Sequence, residues 1–181
     1  EKAIRDGTTQ YTQALGLMPL RERISAWYTT RFGASVPASR IVVTAGASAA
    51  LHLACLALIE AGDEILMPDP SYPCNRHFVR LFEGRATLVP VDASTSYQLT
   101  AALIRQHWTP ATRAVLISSP SNPTGTLVPD ADMAEIARTV RELGGVLIVD
   151  EIYHGLTYGV PARSAFHYSA DVFRVNSFSK Y

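Results

Sequence analysis

The sequence has few cysteines and no excess of charge of one sign, and each shortage excludes a class of protein. Its cysteines are Cys55 and Cys74, with no CxxC pair, so the pattern indicates neither a disulfide framework nor a zinc site, and no metal is expected. This usage favours a reducing, cytoplasmic location. Sixteen basic residues balance sixteen acidic ones, which argues against a broad binding surface for nucleic acid or an anionic membrane.

Long apolar runs and common nucleotide motifs do not occur either. No run approaches the roughly 18 to 20 apolar residues of a membrane span, and the first residues do not resemble a signal peptide. GxGxxG and GxxxxGK[ST] do not occur in the sequence, so neither dinucleotide binding nor a P-loop NTPase is indicated. Of the 181 residues, 48% are apolar and 18% are charged. This is the length and composition of about one globular domain.

Helix and strand patterns alternate along the chain, which is typical of an α/β sheet. We predict helices at residues 20–32, 47–61, 72–82, 99–106 and 130–143. We predict strands at residues 40–44, 64–67, 86–91, 113–118, 146–150 and 172–178. The 47–61 helix is apolar almost all round and should be buried, and Asp130 is the predicted N-cap of the helix at 130–143. The expected fold has three layers, α/β/α, around a mostly parallel mixed sheet, with no internal domain boundary.

Polar residues gather where the predicted strands end, which is where α/β sheets bind ligands. These clusters lie at residues 46–48, 68–72, 119–125, 150–153 and 177–180. The first takes a strand into a helix through Gly46, leaving the N–H groups of Ala47 and Ser48 at a helix N-terminus. Such a terminus suits a phosphate; the alternative is that Ser48 or Gly46 simply serves a tight turn between strand and helix.

Asp150 follows four apolar residues in VLIVDEIY. An ATPase acidic box would look similar, but no P-loop lysine accompanies it. A carboxylate at the end of a buried strand is costly unless it meets a cation or hydrogen-bond donors. Asp150 is therefore expected to face a cationic partner, such as a protonated heterocyclic nitrogen; the alternative is that Asp150 or Glu151 caps the following turn.

Two rigid, proline-containing turns and a lysine complete the set of candidates. SSPSNPTG could be an ordinary loop, but the Asn122–Pro123 bond could be cis and aim an amide side chain. PDPSYP offers Tyr72 as a flat aromatic surface, unless it is a core or rim residue. Lys180 would ordinarily be a surface charge; at a strand end it could be partly desolvated, with its pKa lowered, and form a Schiff base with a carbonyl.

Together these segments resemble the fold-type I aminotransferases that use pyridoxal 5′-phosphate, in the class I/II group related to aspartate aminotransferase. The resemblance rests on the ordered segments YTQALGLMPLR, TAGASAAL, PDPSYP, SNPTG, DEIY and SFSK, and it spans essentially the whole chain.

The resemblance implies a catalytic role for three residues. Lys180 would form the Schiff base and move the substrate proton, and Asp150 would hold the pyridine nitrogen protonated, so that the ring accepts electrons. Tyr153, together with Asn122, would hydrogen-bond the phenolic oxygen and lower the pKa of the Schiff base.

The resemblance also assigns binding positions. Tyr72 would stack on the ring, while Ala47, Ser48 and Ser177 would hold the phosphate. Tyr11 would reach the phosphate of the neighbouring subunit, which implies a homodimer with shared active sites. Pro70 and Pro123 match positions that are often cis.

The family continues beyond the lysine into a smaller C-terminal domain with a carboxylate-binding arginine. We therefore expect residues 1–181 to be part of the large cofactor-binding domain, without that small domain and unable to transaminate alone. The expected activity moves an amino group between an amino acid and a 2-oxo acid. A C–S lyase, decarboxylase or synthase with the same cofactor remains an alternative, as does an aminotransferase-like sensor domain of a transcriptional regulator.

Overall fold

The computed structural model describes residues 1–161 and 163–180. Contacts divide the chain into two units, Glu1–Thr44 and a larger unit that begins at Ala45. In the described parts of the chain, no helix has both the length and the apolar character needed to cross a lipid bilayer.

The first unit contains the helices α1 (Lys2–Arg5) and α2 (Met18–Phe32). The predicted helix over 20–32 is confirmed and begins two residues earlier, with Pro19 in its first turn. Gly33 ends it with φ +65°, a conformation that favours glycine. Tyr28 is buried, but Leu20 and Trp27 are more than one-third exposed, so this unit covers the apolar side chains of α2 only in part.

The predicted strand at residues 40–44 is wrong. Ala38–Arg40 form a 3₁₀ turn, and although Ile41 is extended, at φ −101° and ψ 126°, none of the described residues forms a ladder with this segment. The β-branched residues favour extended backbone, but a strand also needs a neighbour to accept and donate its hydrogen bonds. Here the buried Arg21 side chain donates to the carbonyls of Ile41 (2.8 Å) and Ala38 (2.6 Å).

The second unit is built on a five-stranded sheet in the order β2-β1-β3-β4-β5. Its strands are β1 (Glu64–Asp69), β2 (Arg85–Pro90), β3 (Thr112–Ser118), β4 (Val146–Asp150) and β5 (Val172–Val175). Every neighbouring pair is parallel. The α/β prediction with a mostly parallel sheet is therefore confirmed, and the described strands include no antiparallel pair.

Helices cover both faces of this sheet, giving the predicted three layers. They are α3 (Gly46–Leu58), α4 (Asn75–Arg80), α5 (Ala101–His107) and α6 (Asp130–Glu142). One apolar cluster joins the sheet to α5 and α6, through Ile104 and Ile136 against Val115 and Val149. The other joins the opposite face to α3 and α4, through residues such as Leu51 and Val79. Alternate side chains of each strand thus enter opposite layers.

Two helix predictions need correction. Helix α3 ends at Leu58, before an extended Ile59 (φ −106°), and is not buried all round: Leu53 and Leu56 are 48% and 61% exposed. A helix lying on a sheet buries one side, whatever residues occupy the other. Asp130 is not the N-cap of α6, because Pro129 takes that position and Asp130 begins the helix, where its charge still complements the helix dipole.

Candidate functional site

The carboxyl ends of three neighbouring strands bring the candidate residues to one edge of the sheet. Ser118 at the end of β3 lies opposite Asp150 at the end of β4, and Asp150 lies opposite Val175 at the end of β5. The loops that follow carry Asn122, Tyr153 and Lys180 respectively. Parallel pairing in this register is what assembles residues from distant parts of the sequence.

Asp150 is buried, with 7% of its surface exposed. Its Oδ1 accepts a 3.0 Å hydrogen bond from the backbone N–H of Ile152, so the proposed capping of the next turn is present. Burial raises the pKa of Asp150 to about 6, the Ile152 bond opposes this, and the charge of Glu151 adds to it. A single backbone donor does not offset the desolvation, and a cation placed beside the carboxylate would.

Asn122 and Tyr153 line the same groove. The groove has a volume of about 470 Å³ and lies between the loop after β3 and the segment after β4. Its walls combine polar and aromatic side chains with apolar ones, including Asn122, Tyr153, Leu156, Thr157, Tyr158 and Val160.

The Asn122–Pro123 bond is cis, as are Asp69–Pro70 and Ser119–Pro120. The first two agree with the sequence expectation, and the third was not predicted.

Tyr72 is half-buried in the turn after β1. A hydrogen bond with the Cys74 side chain raises the pKa of Tyr72, and the nearby charges of Tyr153 and Asp150 contribute in the same direction. Tyr72 is therefore partly exposed and close enough to Tyr153 and Asp150 for their charges to act on it. A residue that stacks on a ring at this edge of the sheet needs both properties.

Ala47 and Ser48 occupy the first turn of α3, directly after Gly46 at φ +83°. The N-cap residue, Ala45, has no side-chain acceptor for the N–H groups of the first turn, and Ser48 is exposed. Leu51, one turn on, belongs to the same apolar cluster as Val175 of β5. The N-terminus of α3 can therefore present N–H groups to an anion.

The segment after β5 differs from the prediction. The strand ends at Val175 rather than at residue 178, and Phe178–Lys180 form a 3₁₀ turn. Asn176 Oδ1 accepts the N–H of Ser177 (2.8 Å), and Ser177 Oγ donates to Ser179 Oγ (3.0 Å), so local side-chain bonds replace the ladder. Lys180 is exposed rather than partly desolvated. Its Nζ lies 5.7 Å from the centroid of the Tyr153 ring.

Tyr11 lies in the first unit and is fully exposed. Its assignment to the phosphate of a neighbouring subunit stays a prediction.

Glu151 and its partners were missed by sequence reasoning, which considered Glu151 only as a possible cap. The Glu151 side chain is 2% exposed and accepts from His154 Nδ1 (2.8 Å), from the Ala165 N–H (2.7 Å) and from Arg174 Nε. Phe166 lies beneath the guanidinium, 5.6 Å from ring centroid to Arg174 Cζ. The available signal was Arg174, a charged residue with the apolar Phe173 and Val175 on both sides, whereas Glu151 follows Asp150 directly.

The chain is similar to known aminotransferases. The model of the family described as "Aminotransferase class I and II" matches residues 1–181. A valine–pyruvate aminotransferase of Mycobacterium tuberculosis is 40% identical over 173 residues, covering 94% of this chain and 44% of the relative. A probable aspartate/prephenate aminotransferase of Aquifex aeolicus is 33% identical over 184 residues, covering 99% of this chain and 47% of the relative.

Solved structures agree in fold. An aminotransferase from M. tuberculosis superposes with a TM-score of 0.94 at 38% identity, over 99% of this chain and 46% of that one. The aspartate aminotransferase of Thermus thermophilus, solved with maleate, gives 0.92 at 28% identity, over 97% of this chain and 46% of that one. The chain thus spans about half the length of the relatives it matches. It belongs to the class I and II aminotransferases, a family that uses pyridoxal 5′-phosphate.

Proposed function

We propose that this chain is part of the large, cofactor-binding domain of a transaminase, which moves an amino group between an amino acid and a 2-oxo acid with pyridoxal 5′-phosphate. The observation that carries the proposal is Asp150, a buried carboxylate that has one backbone donor among the described residues. It lies at the sheet edge that also bears Asn122, Tyr153 and Lys180. Family membership supports it.

The residues present fit the cofactor. The Asp150 carboxylate would hold a proton on the pyridine nitrogen, and the resulting ion pair would offset the desolvation that raises its pKa. The N–H groups of Ala47 and Ser48, with the Ser177 hydroxyl, would bind the phosphate. Tyr72 would cover one face of the ring. When bound, the cofactor supplies an aldehyde for covalent attachment and a ring that accepts electrons from the substrate.

The remaining residues would handle hydrogen bonds and protons. Asn122 and Tyr153 would donate to the phenolic oxygen from the wall of the groove. The Lys180 amine would bind the cofactor covalently and then carry the proton removed from the substrate. Its exposed position leaves the amine accessible for that attachment.

We also infer an assembly and a location. A homodimer would complete each site with Tyr11 of the neighbouring subunit. The two free cysteines, Cys55 and Cys74, favour a reducing cytoplasm. The relatives are named for different substrates, from valine and pyruvate to aspartate and prephenate, so the proposal extends to amino acids and 2-oxo acids as classes.

Covalent labelling tests the proposal. The full-length protein loaded with cofactor is reduced with borohydride, digested and mapped by mass spectrometry. We expect the pyridoxyl group on Lys180 and its loss in Lys180→Ala. Lys2, the other lysine of this chain, supplies the matched control, because Lys2→Ala should leave the label in place. A label on another residue would contradict the assignment of Lys180.

Analysis of the reaction products of the full-length protein separates a transaminase from a lyase. Ammonia and a 2-oxo acid, formed without exchange of the amino group, would indicate a lyase.

A further inference from the structure

Gln98 is a buried polar residue that no sequence motif singled out. It is 3% exposed and lies between the turn at Ala93–Thr95 and helix α5. Ser96 and Tyr97, just before it, have φ of +53° and +55°, the left-handed region that is unfavourable for residues other than glycine. The Tyr97 N–H donates to the Asp92 carbonyl (2.8 Å). The chain thus adopts an unfavourable local conformation and directs an amide side chain inward.

The buried amide joins two points of another loop. Gln98 Nε2 donates to the carbonyl of Ser118 (3.2 Å), and to the carbonyl (3.0 Å) and Oγ1 (3.2 Å) of Thr126. Ser118 ends β3, and Thr126 lies at the far end of the loop that contains Asn122. Both carbonyls can only accept hydrogen bonds, so the NH₂ group of Gln98 must face them.

Other hydrogen bonds also hold this loop: the Ser119 N–H donates to the Asp150 carbonyl (3.0 Å), the Val128 N–H donates to Ser119 Oγ (3.0 Å), and the Thr124 and Thr126 hydroxyl oxygens are 2.9 Å apart. The Ser121 N–H donates to the Thr126 carbonyl (2.9 Å), and the Gly125 N–H donates to the Ser121 carbonyl (2.8 Å). The Thr126 carbonyl therefore accepts from both Ser121 and Gln98. Asn122 follows Ser121 directly, so the bonds that hold the base of the loop determine where the Asn122 amide lies.

We propose that Gln98 is a positioning residue for cofactor chemistry: its amide holds the base of the Ser119–Thr126 loop closed and so places Asn122 to donate to the phenolic oxygen of the cofactor. This inference rests on the proposed function. Gln98 itself does not touch the reacting atoms. Glutamine is needed because glutamate of the same shape would turn an acceptor toward two carbonyls and a hydroxyl.

The pH dependence of the absorbance of the bound cofactor tests this in the full-length holoenzyme. Donors to the phenolic oxygen stabilise its charged form and lower the pKa of the Schiff base, which is the spectroscopic pKa that the absorbance reports. Losing the Asn122 donor, in Asn122→Ala, should therefore raise this pKa by about one unit. We expect Gln98→Glu to raise it in the same direction by a smaller amount. The double variant should match Asn122→Ala to within about 0.3 unit, since Gln98 acts through Asn122.

Control variants separate positioning from general stability. Gln106→Glu makes the same chemical change at an exposed site on α5 and should leave the spectroscopic pKa unchanged. Gln98→Met keeps the length of the side chain without a donor and should reproduce Gln98→Glu. In the cofactor-free full-length protein, hydrogen exchange at Ser121 and Gly125 should be faster in both Gln98 variants and unchanged in Gln106→Glu.

The outcomes are distinguishable. A shifted pKa in Asn122→Ala beside an unchanged one in Gln98→Glu and Gln98→Met would overturn the role of Gln98 and leave the proposed function intact. Additive shifts in the double variant would likewise overturn it. An unchanged pKa in Asn122→Ala would overturn the roles of Asn122 and Gln98, whereas the absence of covalently bound cofactor would overturn the proposed function as well. If neither Gln98 variant folds, Thr126→Val, which removes one acceptor, must show a smaller upward shift, and the absence of any shift overturns the proposal.

Discussion

Two carboxylates that are adjacent in the chain, Asp150 and Glu151, are both buried but differ in their partners. Glu151 accepts hydrogen bonds from two side chains and one backbone N–H. Among the described residues, Asp150 accepts one bond, from the backbone of Ile152, and burial raises its pKa to about 6. Both carboxylates are removed from water, and Glu151 has the donors that offset this cost within the chain. Completeness of pairing, rather than burial, separates the structural carboxylate from the one that is available to a ligand.

Replacing Glu151 tests the structural half of the comparison and should have the largest effect. Glu151→Gln removes the negative charge beside the Arg174 guanidinium, in a setting where both side chains are 2% exposed. We expect the free energy of unfolding of the full-length protein to fall by about 3–5 kcal/mol. Urea unfolding measures this loss. A variant as stable as the wild type would show that the Glu151 network contributes no net stability.

The pH dependence of stability, measured in the cofactor-free full-length protein, tests the poorly compensated burial of Asp150. The pKa of Asp150 is raised from 3.8 to about 6 on folding, so the folded state binds this proton more tightly. The stability associated with Asp150 is therefore full below about pH 4 and is lost as the pH rises to about 6, by about 3 kcal/mol in total.

Asp150→Asn provides the control, because it cannot titrate. Unfolding of the wild type and of Asp150→Asn is compared between about pH 4 and pH 7. The stability of the wild type relative to the variant should decrease across this window. A constant difference would contradict the poorly compensated burial of Asp150.

A third carboxylate, Asp92, provides the smallest expected effect. It is exposed, and hydrogen bonds from the Ser94 hydroxyl and N–H lower its pKa. Its contribution is therefore present above the unfolded pKa and is lost as the pH falls, the reverse of Asp150. Asp92→Asn keeps an acceptor for Ser94, and its stability should differ from the wild type only slightly, at neutral pH. If Asp92→Asn lowered the free energy of unfolding as much as Glu151→Gln, the ranking of the three carboxylates by burial and pairing would be wrong.

Local patterns predicted most of the second unit. Residues 146–150 form a strand with the predicted bounds, because four consecutive apolar residues before a charge are typical of a strand covered on both faces. The failed strand at residues 40–44 also contains a short run of β-branched apolar residues, Ile41 to Val43. What it lacked was a neighbouring strand among the described residues, and strand pairing is not encoded in the segment itself.

The candidate site was predicted unevenly for the same reason. Asp150 and Asn122 follow strands whose ends meet at one edge, so their shared location followed from the rule for parallel sheets. The exposure of Lys180 could not be predicted, because it depends on where β5 leaves the sheet and on the side chain of Asn176.

The sequence by itself determined the alternation of helices and strands, the family, and the residues able to bind a cofactor, because apolar periodicity and side-chain chemistry are properties of local segments. Only the tertiary structure decided which polar groups are partnered. Glu151 meets Arg174 across 23 positions, and Gln98 meets Thr126 across 28. Such pairs form when the sheet brings distant segments together, and the cost of leaving a buried polar group unpaired then separates the roles of otherwise similar residues.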